Sequence, residues 1–463
     1  MYRYLYSKLV YPLYHRMTGS GAVSAVRELK SHDLLSSSEL RDLEKTKLRR
    51  LLSHAGEHVP YFKDVIDETG LDIESLAEPA QFRLLPVLSK ATIKEQGERL
   101  HSTMLDGNRL DPNSTSGSTG SPMKFFTDRR SKAYRKATVF RNRRWLGIEI
   151  GEQVVHIWGS QIDQERAEAL RGRIHAGITR ETFLSAYEIG DAEFLKYAEV
   201  IRRSGASLLI GYPSVLSEFA RFCGSRSIRF PKLRAVIVSA EALYKHHRQA
   251  IEENLGIELF NRYGCREVGD IAHEVPGQAG LVVNSDRVLV EIVDERGEPC
   301  AAGSQGRILV TDLDNYGMPL IRYDIGDSGS WAPPGYGSGR LPYPILENVE
   351  GRSLDIVSSP GGARVGGTFW TILLRQRPGF ANFQVIQEKP DGVQIRYVRD
   401  REIAAIDLTY FSRKIAEQFG AGFACTFTEV DRIEPEANGK FRLVISRLKR
   451  DASPPSDTGG LSQ

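Results

Sequence analysis

Apolar residues recur at helical spacing in the first hundred residues of the chain. Within the segment ELRDLEKTKLRRLLSHA they stand three or four positions apart: Leu40, Leu43, Leu48, Leu51, Leu52 and Ala55. This spacing places them on one face of an amphipathic helix. We therefore predict that the amino-terminal part of the chain is helical and packs its apolar faces on a core.

The middle of the chain alternates between short apolar runs and amphipathic segments. The runs LLIGY, AVIVS and IELFN, at 208–212, 235–239 and 257–261, predict buried strands, and the helices between them are predicted to stop at Gly224 and Gly256. This alternation is typical of a parallel sheet covered by helices. Because ligands of such sheets bind beyond the carboxyl ends of the strands, the residues that follow these runs are candidates for a binding site.

The pattern changes twice more toward the carboxyl end. Apolar runs at 288–294 and 307–313 predict a β-rich stretch, and a compact α+β pattern follows from about Gly351. We predict an α/β protein with a large N-terminal domain, residues 1–351, which contains parallel helix-covered sheets and a β-rich subdomain. Residues 352–450 are predicted to form a small mobile α+β domain, and 451–463 a disordered tail.

Composition and charge exclude several classes of protein. The chain of 463 residues is too long for one ordinary core, and its 41 % of hydrophobic residues fits a soluble globular protein. A net charge of +3, from 62 basic and 59 acidic residues, gives no indication of a nucleic-acid partner. The basic cluster 141–144 is interpreted as a solvated helix face, with a phosphate-rich ligand as the alternative. No apolar run is long enough for a transmembrane helix.

The cysteines favour a reducing compartment. No C-x-x-C pair occurs, so neither a disulfide framework nor a zinc ribbon is indicated, and we expect a cytoplasmic protein. The alternative that Cys265, His273 and Cys300 share a metal has no motif behind it, and buried free thiols are favoured. The four cysteines are Cys223, Cys265, Cys300 and Cys425.

The strongest chemical signal is the segment STSGSTGSP at residues 114–122. Glycines let a backbone approach a phosphate closely, and the hydroxyl and N–H groups around them can wrap its oxygens. The Walker A pattern is absent. Taken alone, such a segment is more often a flexible linker.

Five further segments follow in a fixed order, and four of their residues suggest chemistry. Tyr263 could stack on a purine, and the carboxylate of Glu267 offers a hard oxygen ligand for Mg²⁺. Asp327 could accept hydrogen bonds from a ribose diol. The ammonium of Lys440 is positioned by an Asn-Gly turn. The segments are SAE (239–241), NRYGCREVG (261–269), IRYDIGD (321–327), EGRSLDIV (350–357) and NGKFRLVISRL (438–448).

Together, these six segments resemble the motifs of the adenylate-forming superfamily of acyl-CoA ligases, adenylation domains and luciferases. The chain is most similar to the phenylacetate–CoA ligase branch and its capsular-polysaccharide-biosynthesis-type members, from about residue 40 to about residue 448. The resemblance implies that ATP and Mg²⁺ activate a carboxylic acid as its acyl-adenylate, and that the acyl group then passes to a thiol. Coenzyme A is the expected acceptor; a carrier-protein thiol or an amine is the alternative. The resemblance leaves homodimerisation open.

The resemblance also implies roles for the matched residues. Glu267 would bind Mg²⁺, Asp327 the ribose hydroxyls, and Lys440 the substrate carboxylate and the α-phosphate during adenylation. Arg352 would contact the ribose or a phosphate beside a hinge between the domains. The phosphate loop would comprise Thr115, Ser116, Gly117, Ser118, Thr119 and Gly120, the adenine and acyl pocket would be lined by Ser239, Ala240 and Glu241, and the adenine would be flanked by Arg262 and Tyr263.

Three positions depart from the pattern of the superfamily. The phosphate loop ends Gly-Ser-Pro, with Ser121 where a lysine is usual, and Leu354 stands where the hinge residue is usually acidic. The ribose motif has Asp-Ile before Gly-Asp in place of the usual Arg or Thr. These departures motivate an alternative, a degenerate nucleotide-binding protein of an envelope-polysaccharide pathway, against which Glu267, Asp327 and Lys440 argue.

The sequence gives little information about which carboxylic acid is the substrate. Trp158 and Tyr212 stand where an acyl pocket is expected, and aromatic walls would suit an aromatic acid, although both could equally be core residues. No G-x-S-x-G elbow and no G-x-G-x-x-G after a strand is present, so hydrolase and dinucleotide-dependent oxidoreductase chemistry have little support.

Overall fold

The computed structural model describes residues 6, 9, 11–13, 21–105, 110–114, 123–158, 179–186, 190–336, 339, 341–350, 357–361, 363–365, 367–375, 379–400, 403, 405–433 and 444–448. These residues fall into two compact units. The first ends at Glu350 and the second begins at Val357.

The amino-terminal part of the first unit is helical. Its elements are α1 (Ala22–His32), α2 (Ser37–His58), α3 (Pro60–Thr69), α4 (Ile73–Leu76), α5 (Pro79–Phe82), α6 (Lys90–Gln96) and a 3₁₀ turn (Gly97–Leu100). Helix α2 starts with a capping box, in which Ser36 Oγ accepts from the Glu39 N–H and the Glu39 carboxylate accepts from the Ser36 N–H. Its buried face carries the predicted residues Leu40, Leu48, Leu51, Leu52 and Ala55.

One sheet organises the rest of the first unit. A separate hairpin, β1 (Asp111–Ser114) with β2 (Lys124–Thr127), precedes it. The described strands of the sheet lie in the order β10-β11-β12-β13-β9-β8-β7-β6-β5-β3-β4. They are β3 (Val154–Trp158), β4 (Glu181–Ser185), β5 (Leu208–Gly211), β6 (Ala235–Ser239), β7 (Leu259–Cys265), β8 (Gly269–Val275), β9 (Gln278–Val283), β10 (Val288–Val293), β11 (Gly306–Asp312), β12 (Tyr323–Trp331) and β13 (Ile345–Glu350).

The sheet has a parallel half and an antiparallel half that meet at β7. Strands β4, β3, β5, β6 and β7 pair in parallel, and β7 then pairs antiparallel with β8. Every residue of β5 and β6 is buried, as expected for strands covered by helices on both faces. The predicted α/β class is therefore confirmed, and the β-rich segment continues the same sheet. The connecting helices are α7 (Arg129–Trp145), α8 (Asp191–Ser204), α9 (Pro213–Ser225) and α10 (Lys245–Leu255).

The antiparallel half of the sheet curls. In the hydrogen-bonded order, β13, β9 and β8 stand between β12 and β7. Side chains of β12 nevertheless hydrogen-bond to residues of β7 and of the turn that follows it. The strands must therefore bend round until β7 and β12 face each other, as in a partly closed barrel.

The prediction that Gly224 ends a helix needs correction, whereas the prediction for Gly256 is confirmed. Gly224 does not end α9, which continues to Ser225. A Cβ at Gly224 would collide with the side chain of Asn254 on α10, so close packing of the two helices is the reason for this glycine. Gly256 does end α10, in the left-handed conformation with φ 69°.

The basic cluster 141–144 on α7 is not a solvated face, contrary to the prediction from the sequence. The side chains of Arg141 and Arg143 are buried, and Arg143 pairs with Glu181 at 2.6 Å. Arg141 makes two hydrogen bonds to Asp286, at 2.5 and 2.8 Å. These charge-assisted bonds compensate the guanidinium for its loss of water in the interior.

Buried charges also join the amino-terminal helices to the antiparallel half of the sheet. His32 on α1 lies 2.8 Å from the carboxylate of Asp286. Lys47 on α2 donates to the Asp286 carbonyl at 2.6 Å and to the Asp314 carboxylate at 2.7 Å. The positive charges around Asp286 hold the pKa of that carboxyl well below its usual range, although burial acts against them.

The second unit is a small α+β domain. Its strands form a four-stranded sheet of order β18-β17-β16-β19 and a short β14–β15 pair, and Trp370 is fully buried in its core. Among the described helices of the whole chain, none combines the length and apolarity needed to cross a membrane. The elements of the unit are β14 (Val357–Ser358), β15 (Arg364–Val365), α11 (Gly367–Arg375), β16 (Phe380–Lys389), β17 (Gly392–Arg399), α12 (Leu408–Phe419), β18 (Ala424–Glu429) and β19 (Val444–Ser446).

Candidate active site

Four adjacent parallel strands bring sequence-predicted site residues to one edge of the sheet. The strands β3, β5, β6 and β7 are neighbours in that order. Trp158 ends β3, Tyr212 follows β5, Ser239 ends β6, and Arg262 pairs with Ser239 across the β6–β7 ladder. Since the strands are parallel, these residues share the carboxyl edge where ligands of α/β sheets bind.

Trp158 and Tyr212 form one aromatic platform. Their rings are stacked, with centroids 4.4 Å apart and an angle of 18° between the planes. No substrate ring fits between them, so they are not two opposing walls. Tyr212 is buried and Trp158 is partly exposed, with the Arg262 guanidinium 5.9 Å from the Trp158 ring. Among the described residues, Tyr212 covers one face of the indole and Arg262 lies near the ring.

The segment Ser239–Glu241 makes a strained corner after β6. Ser239 Oγ donates to the Arg262 carbonyl at 2.8 Å. Ala240 has φ 68°, a left-handed conformation that non-glycine residues rarely adopt outside functional sites. Glu241 turns back to the start of α9, where its Oε2 accepts from the Ser214 N–H at 3.1 Å.

The carboxyl group of Glu241 is poorly solvated. Its Oε1 is buried and has no hydrogen-bond partner among the described residues. Burial raises the pKa of Glu241 to about 7, although the bond from Ser214 opposes the shift. This side chain can therefore exchange a proton near neutral pH.

Two tyrosines and two carboxylates pair reciprocally between β7 and β12. Tyr263 on β7 donates its hydroxyl to Asp327 Oδ2 on β12, at 3.1 Å. Tyr323 on β12 donates its hydroxyl to Glu267 Oε1, in the turn after β7, at 2.8 Å. In both segments the acid follows the tyrosine by four residues. The curl of the sheet thus brings the predicted ribose and Mg²⁺ carboxylates to one place.

Glu267 is not the free carboxylate that the sequence suggested. Its side chain is buried and lies in the turn between β7 and β8. In addition to the bond from Tyr323, the ammonium of Lys90 on α6 lies 3.6 Å from Glu267 Oε1. The carboxylate thus has a hydroxyl donor and a counter-ion.

Comparisons with known proteins find similarity to phenylacetate-coenzyme A ligases and to CapK. The family model described as the CapK C-terminal domain matches residues 357–447. The phenylacetate-coenzyme A ligase of Aromatoleum evansii is 26 % identical over 71 % of this chain and 74 % of its own length. Protein CapK of Staphylococcus aureus is 22 % identical over 90 % of this chain and 91 % of its own. The chain is thus similar to phenylacetate-coenzyme A ligases and to CapK.

Solved structures support the fold. A 2-hydroxyisobutyryl-CoA ligase, in complex with 2-HIB-AMP and CoA in the thioesterification state, superposes with a TM-score of 0.61. The match covers 90 % of this chain and 91 % of that one, at 18 % identity. At this identity the likeness concerns the fold alone.

Several predicted site residues lie outside the described residues. The described strands β1 and β2, which flank the predicted phosphate loop, pair antiparallel, with Ser114 opposite Lys124. The roles assigned to the loop and to the other positions stay predictions. The residues concerned are Thr115, Ser116, Gly117, Ser118, Thr119, Gly120, Ser121, Arg352, Leu354 and Lys440.

The residues around Glu267 fit Mg²⁺ better than a transition metal. Among the described residues, no three His, Cys, Asp or Glu side chains are placed to hold a metal ion, which removes the Cys265–His273–Cys300 alternative. Mg²⁺ is commonly held by one or two carboxylates, with substrate phosphates and water supplying the remaining oxygens. The single buried carboxylate of Glu267 suits that mode.

The sequence analysis did not predict two partners of Glu267, Tyr323 and Lys90. Tyr323 stands in the quoted segment IRYDIGD, but its role depends on a fold contact across the curled sheet. Lys90 is 177 positions before Glu267 and begins a short helix after Ser89. The only local signal for it is the helix start at Ser89, which says nothing of a distant acid.

Proposed function

We propose that the protein activates a carboxylic acid with ATP and Mg²⁺ to an acyl-adenylate, and then transfers the acyl group to a thiol, that of coenzyme A. The reciprocal Tyr263–Asp327 and Tyr323–Glu267 pairs carry this proposal. They bring Asp327, the proposed ribose-binding acid, and Glu267, the proposed metal-binding acid, together between β7 and β12. The relatives named phenylacetate-coenzyme A ligase support the same chemistry.

The first half-reaction joins two anions. A carboxylate oxygen of the acid attacks the α-phosphorus of ATP, the new acyl–oxygen–phosphorus bond forms, and pyrophosphate leaves. Mg²⁺, when bound, neutralises phosphate charge. Tyr323 orients the carboxylate of Glu267, which would hold Mg²⁺, and Asp327 would anchor the ribose, so the chain would fix both ends of the nucleotide before the reaction. Lys440 would offset the charge of the attacking carboxylate.

The second half-reaction replaces AMP by sulfur. The thiolate attacks the acyl carbonyl, the carbon–sulfur bond forms, and AMP leaves with the electron pair of the acyl–oxygen bond. This step contains no triphosphate, so it does not need the charge that Lys440 supplies in the first. We propose that residues 352–450 form a mobile domain that moves Lys440 away between the two steps.

The proposed acid is aromatic. The indole of Trp158 lies on the stacked Tyr212 ring beside Arg262, so a flat apolar group would rest on one face of the platform with its carboxylate toward the nucleotide. Offset stacking on such a face favours aryl groups over linear chains. Trp158→Ala should therefore raise the KM for an arylacetic acid more than that for a fatty acid.

Acid-dependent exchange of labelled pyrophosphate into ATP tests the proposal. We expect exchange with a panel of aryl and arylacetic acids and strong loss in Glu267→Gln, because the amide keeps the size but not the charge of the metal ligand. Glu274→Gln is the matched control, since that carboxylate belongs to the same hairpin but pairs with Arg248 at 2.7 Å.

The outcome also separates the alternatives. If exchange occurs but the acyl group passes only to an amine or to a carrier-protein thiol, then that group and not coenzyme A is the acceptor. Calorimetric ATP binding without exchange for any acid of the panel would favour a degenerate nucleotide-binding protein, for which Ser121 is the motivation. Full activity of Glu267→Gln at low Mg²⁺ would remove Glu267 from the site.

A further inference from the structure

Two guanidinium groups contact the three backbone carbonyls of the turn that carries Glu267, residues 266–268. Arg135 on α7 donates to the carbonyls of Arg266 and Glu267, the second at 3.4 Å. Arg287, before β10, donates to the carbonyl of Val268. Three successive carbonyls are thus bound by side chains from two distant segments, which is more support than a surface turn needs.

Arg287 is itself held in place. Its side chain is fully buried, and its Nη1 lies 3.2 Å from Asp312 Oδ1 on β11. Asp312 is also fully buried and accepts from the Asp314 N–H at 3.2 Å. Separating the buried arginine from its buried counter-ion would leave an uncompensated charge in the interior. The guanidinium of Arg287 is therefore held in one position, from which it donates to the turn.

Two glycines lack the side chains that would collide with the turn and with Arg135. Gly269, the first residue of β8, has φ 91°, and a Cβ there would lie 3.0 Å from Arg135 Nε. A Cβ at Gly264 would overlap the Gly269 carbonyl oxygen. The backbone of the turn can therefore approach the guanidinium only with glycine at these positions.

We propose that Arg135 and Arg287 are positioning residues for the Mg²⁺ ligand Glu267. They fix the main chain of the turn, while the Tyr323 hydroxyl fixes the orientation of the carboxylate. The inference rests on the proposed metal role of Glu267. A metal ligand held in this way needs no reorganisation when Mg²⁺ and ATP arrive.

Charge alone does not explain the arginines around the turn. Burial and the nearby charge of Arg287 lower the pKa of Arg135, and Asp312 and Asp270 act in the opposite direction. Lys90, at 3.6 Å from Glu267 Oε1, adds a further positive charge. Cations near a cation site weaken metal binding, so electrostatics alone would not select arginines here. Their forked donors to carbonyl oxygens supply the reason.

Mn²⁺ titration of the full-length protein with α,β-methylene-ATP, followed by water-proton relaxation, tests the inference without turnover. Arg135→Lys keeps the charge, but one ammonium cannot reproduce the two-carbonyl contact. We expect its Mn²⁺ dissociation constant to rise about tenfold or more, as for other residues that orient metal ligands. Arg143→Lys, a buried arginine of the same helix that pairs with Glu181, is the matched control and should stay within about twofold of the wild type.

Three further measurements make the result decisive. Circular dichroism must show that Arg135→Lys is folded, and Arg287→Lys should repeat its effect. Glu267→Gln should weaken Mn²⁺ at least as much as Arg135→Lys. Wild-type affinity in a folded Arg135→Lys, or equal weakening in Arg143→Lys, overturns the positioning role. Wild-type affinity in Glu267→Gln overturns the metal role and the inference together, whereas missing pyrophosphate exchange by the wild type overturns only the proposed reaction.

Discussion

At the residue scale, hydroxyl groups decide where the two carboxylates of the site point. Tyr263 and Tyr323 each donate one hydrogen bond to an acid on the other segment. A phenol hydroxyl has one strong donor, so each tyrosine aligns one carboxylate oxygen. The second oxygen of each acid is then oriented by the same bond.

Removal of the Tyr263 hydroxyl should weaken ATP binding modestly. Tyr263→Phe deletes one hydrogen bond, so we expect the dissociation constant for ATP to rise about three- to tenfold in calorimetry. Asp327→Ala should cost more, because hydrogen bonds to a charged group contribute about 1.5–3 kcal/mol each.

The ribose provides the control for this prediction. Both variants should bind 2′,3′-dideoxy-ATP as well as the wild type does, since that nucleotide lacks the hydroxyls. Wild-type protein that binds ATP and the dideoxy nucleotide equally well would contradict the role of Asp327.

Glu241 should make the folding stability depend on pH. Its pKa is about 7 in the folded protein and has the ordinary value of 4.5 when exposed. Between these values the folded state binds more protons, so this contribution to stability is lost as the pH rises through about 7. We expect Glu241→Gln to reduce the fall of Tm between pH 5 and pH 8, measured by circular dichroism. The same slope in variant and wild type would show that the carboxyl is ionised throughout.

Sequence could name single residues of the site but not their pairs. Asp327 and Glu267 stand in segments with a recognisable motif, so a role could be predicted for each of them. The Tyr323–Glu267 contact spans 56 positions and the Lys90 contact 177, and no local pattern encodes a pairing of that range. The contacts follow from the curl of the sheet, which is set by the whole set of strands.

At the element scale, the short helix α6 is tied to the strand that carries Asp327. The Leu88 N–H donates to the Arg322 carbonyl, and the Asp324 N–H donates to the Leu88 carbonyl, both at 3.0 Å. These bonds place Ser89, the N-cap of α6, and therefore Lys90, beside the start of β12. A helix that is too short to be stable alone is thus fixed by strand-like bonds.

The ammonium on α6 should compete with Mg²⁺ for Glu267. Lys90→Met removes a positive charge 3.6 Å from the carboxylate, so we expect the Mg²⁺ concentration for half-maximal pyrophosphate exchange to fall about two- to fivefold. Lys90→Arg keeps the charge and should keep the wild-type requirement. An unchanged Mg²⁺ requirement with a raised KM for ATP would mean that Lys90 contacts phosphate instead.

The buried strands were the most predictable elements. AVIVS coincides with β6, and LLIGY with β5 except for Tyr212, because continuous apolar runs flanked by helices suit only central strands. The role of β7 was less predictable. It pairs in parallel on one side and antiparallel on the other, and its sequence carries no signal for that change.

At the scale of the whole molecule, the division into two compact units fits a reaction with two half-steps. The sequence change near residue 351 suggested such a division. The prediction that the smaller unit moves rests on the resemblance of the motifs, since an apolar pattern describes a packed core and carries no information on motion.

Lys440→Ala should separate the two half-reactions. We expect loss of most acid-dependent pyrophosphate exchange, because the ammonium offsets the charge of two anions in that step. Thioester formation from a preformed acyl-adenylate and coenzyme A should continue at a near-normal rate. Rapid quench with each substrate set measures both, and an equal loss in the two steps would indicate a folding defect.

The contacts of Lys47 and His32 with Asp286 and Asp314 also bear on how the protein is made. The partners lie more than 230 positions later in the chain, so a ribosome must work for roughly 12 to 50 seconds after α2 emerges before they exist. During that interval the apolar face of α2 can pack only on neighbours such as Phe62 and Ile66 of α3, because the strands that complete its core do not yet exist. We therefore expect the amino-terminal helices to reach their final packing only after Asp314 has been translated.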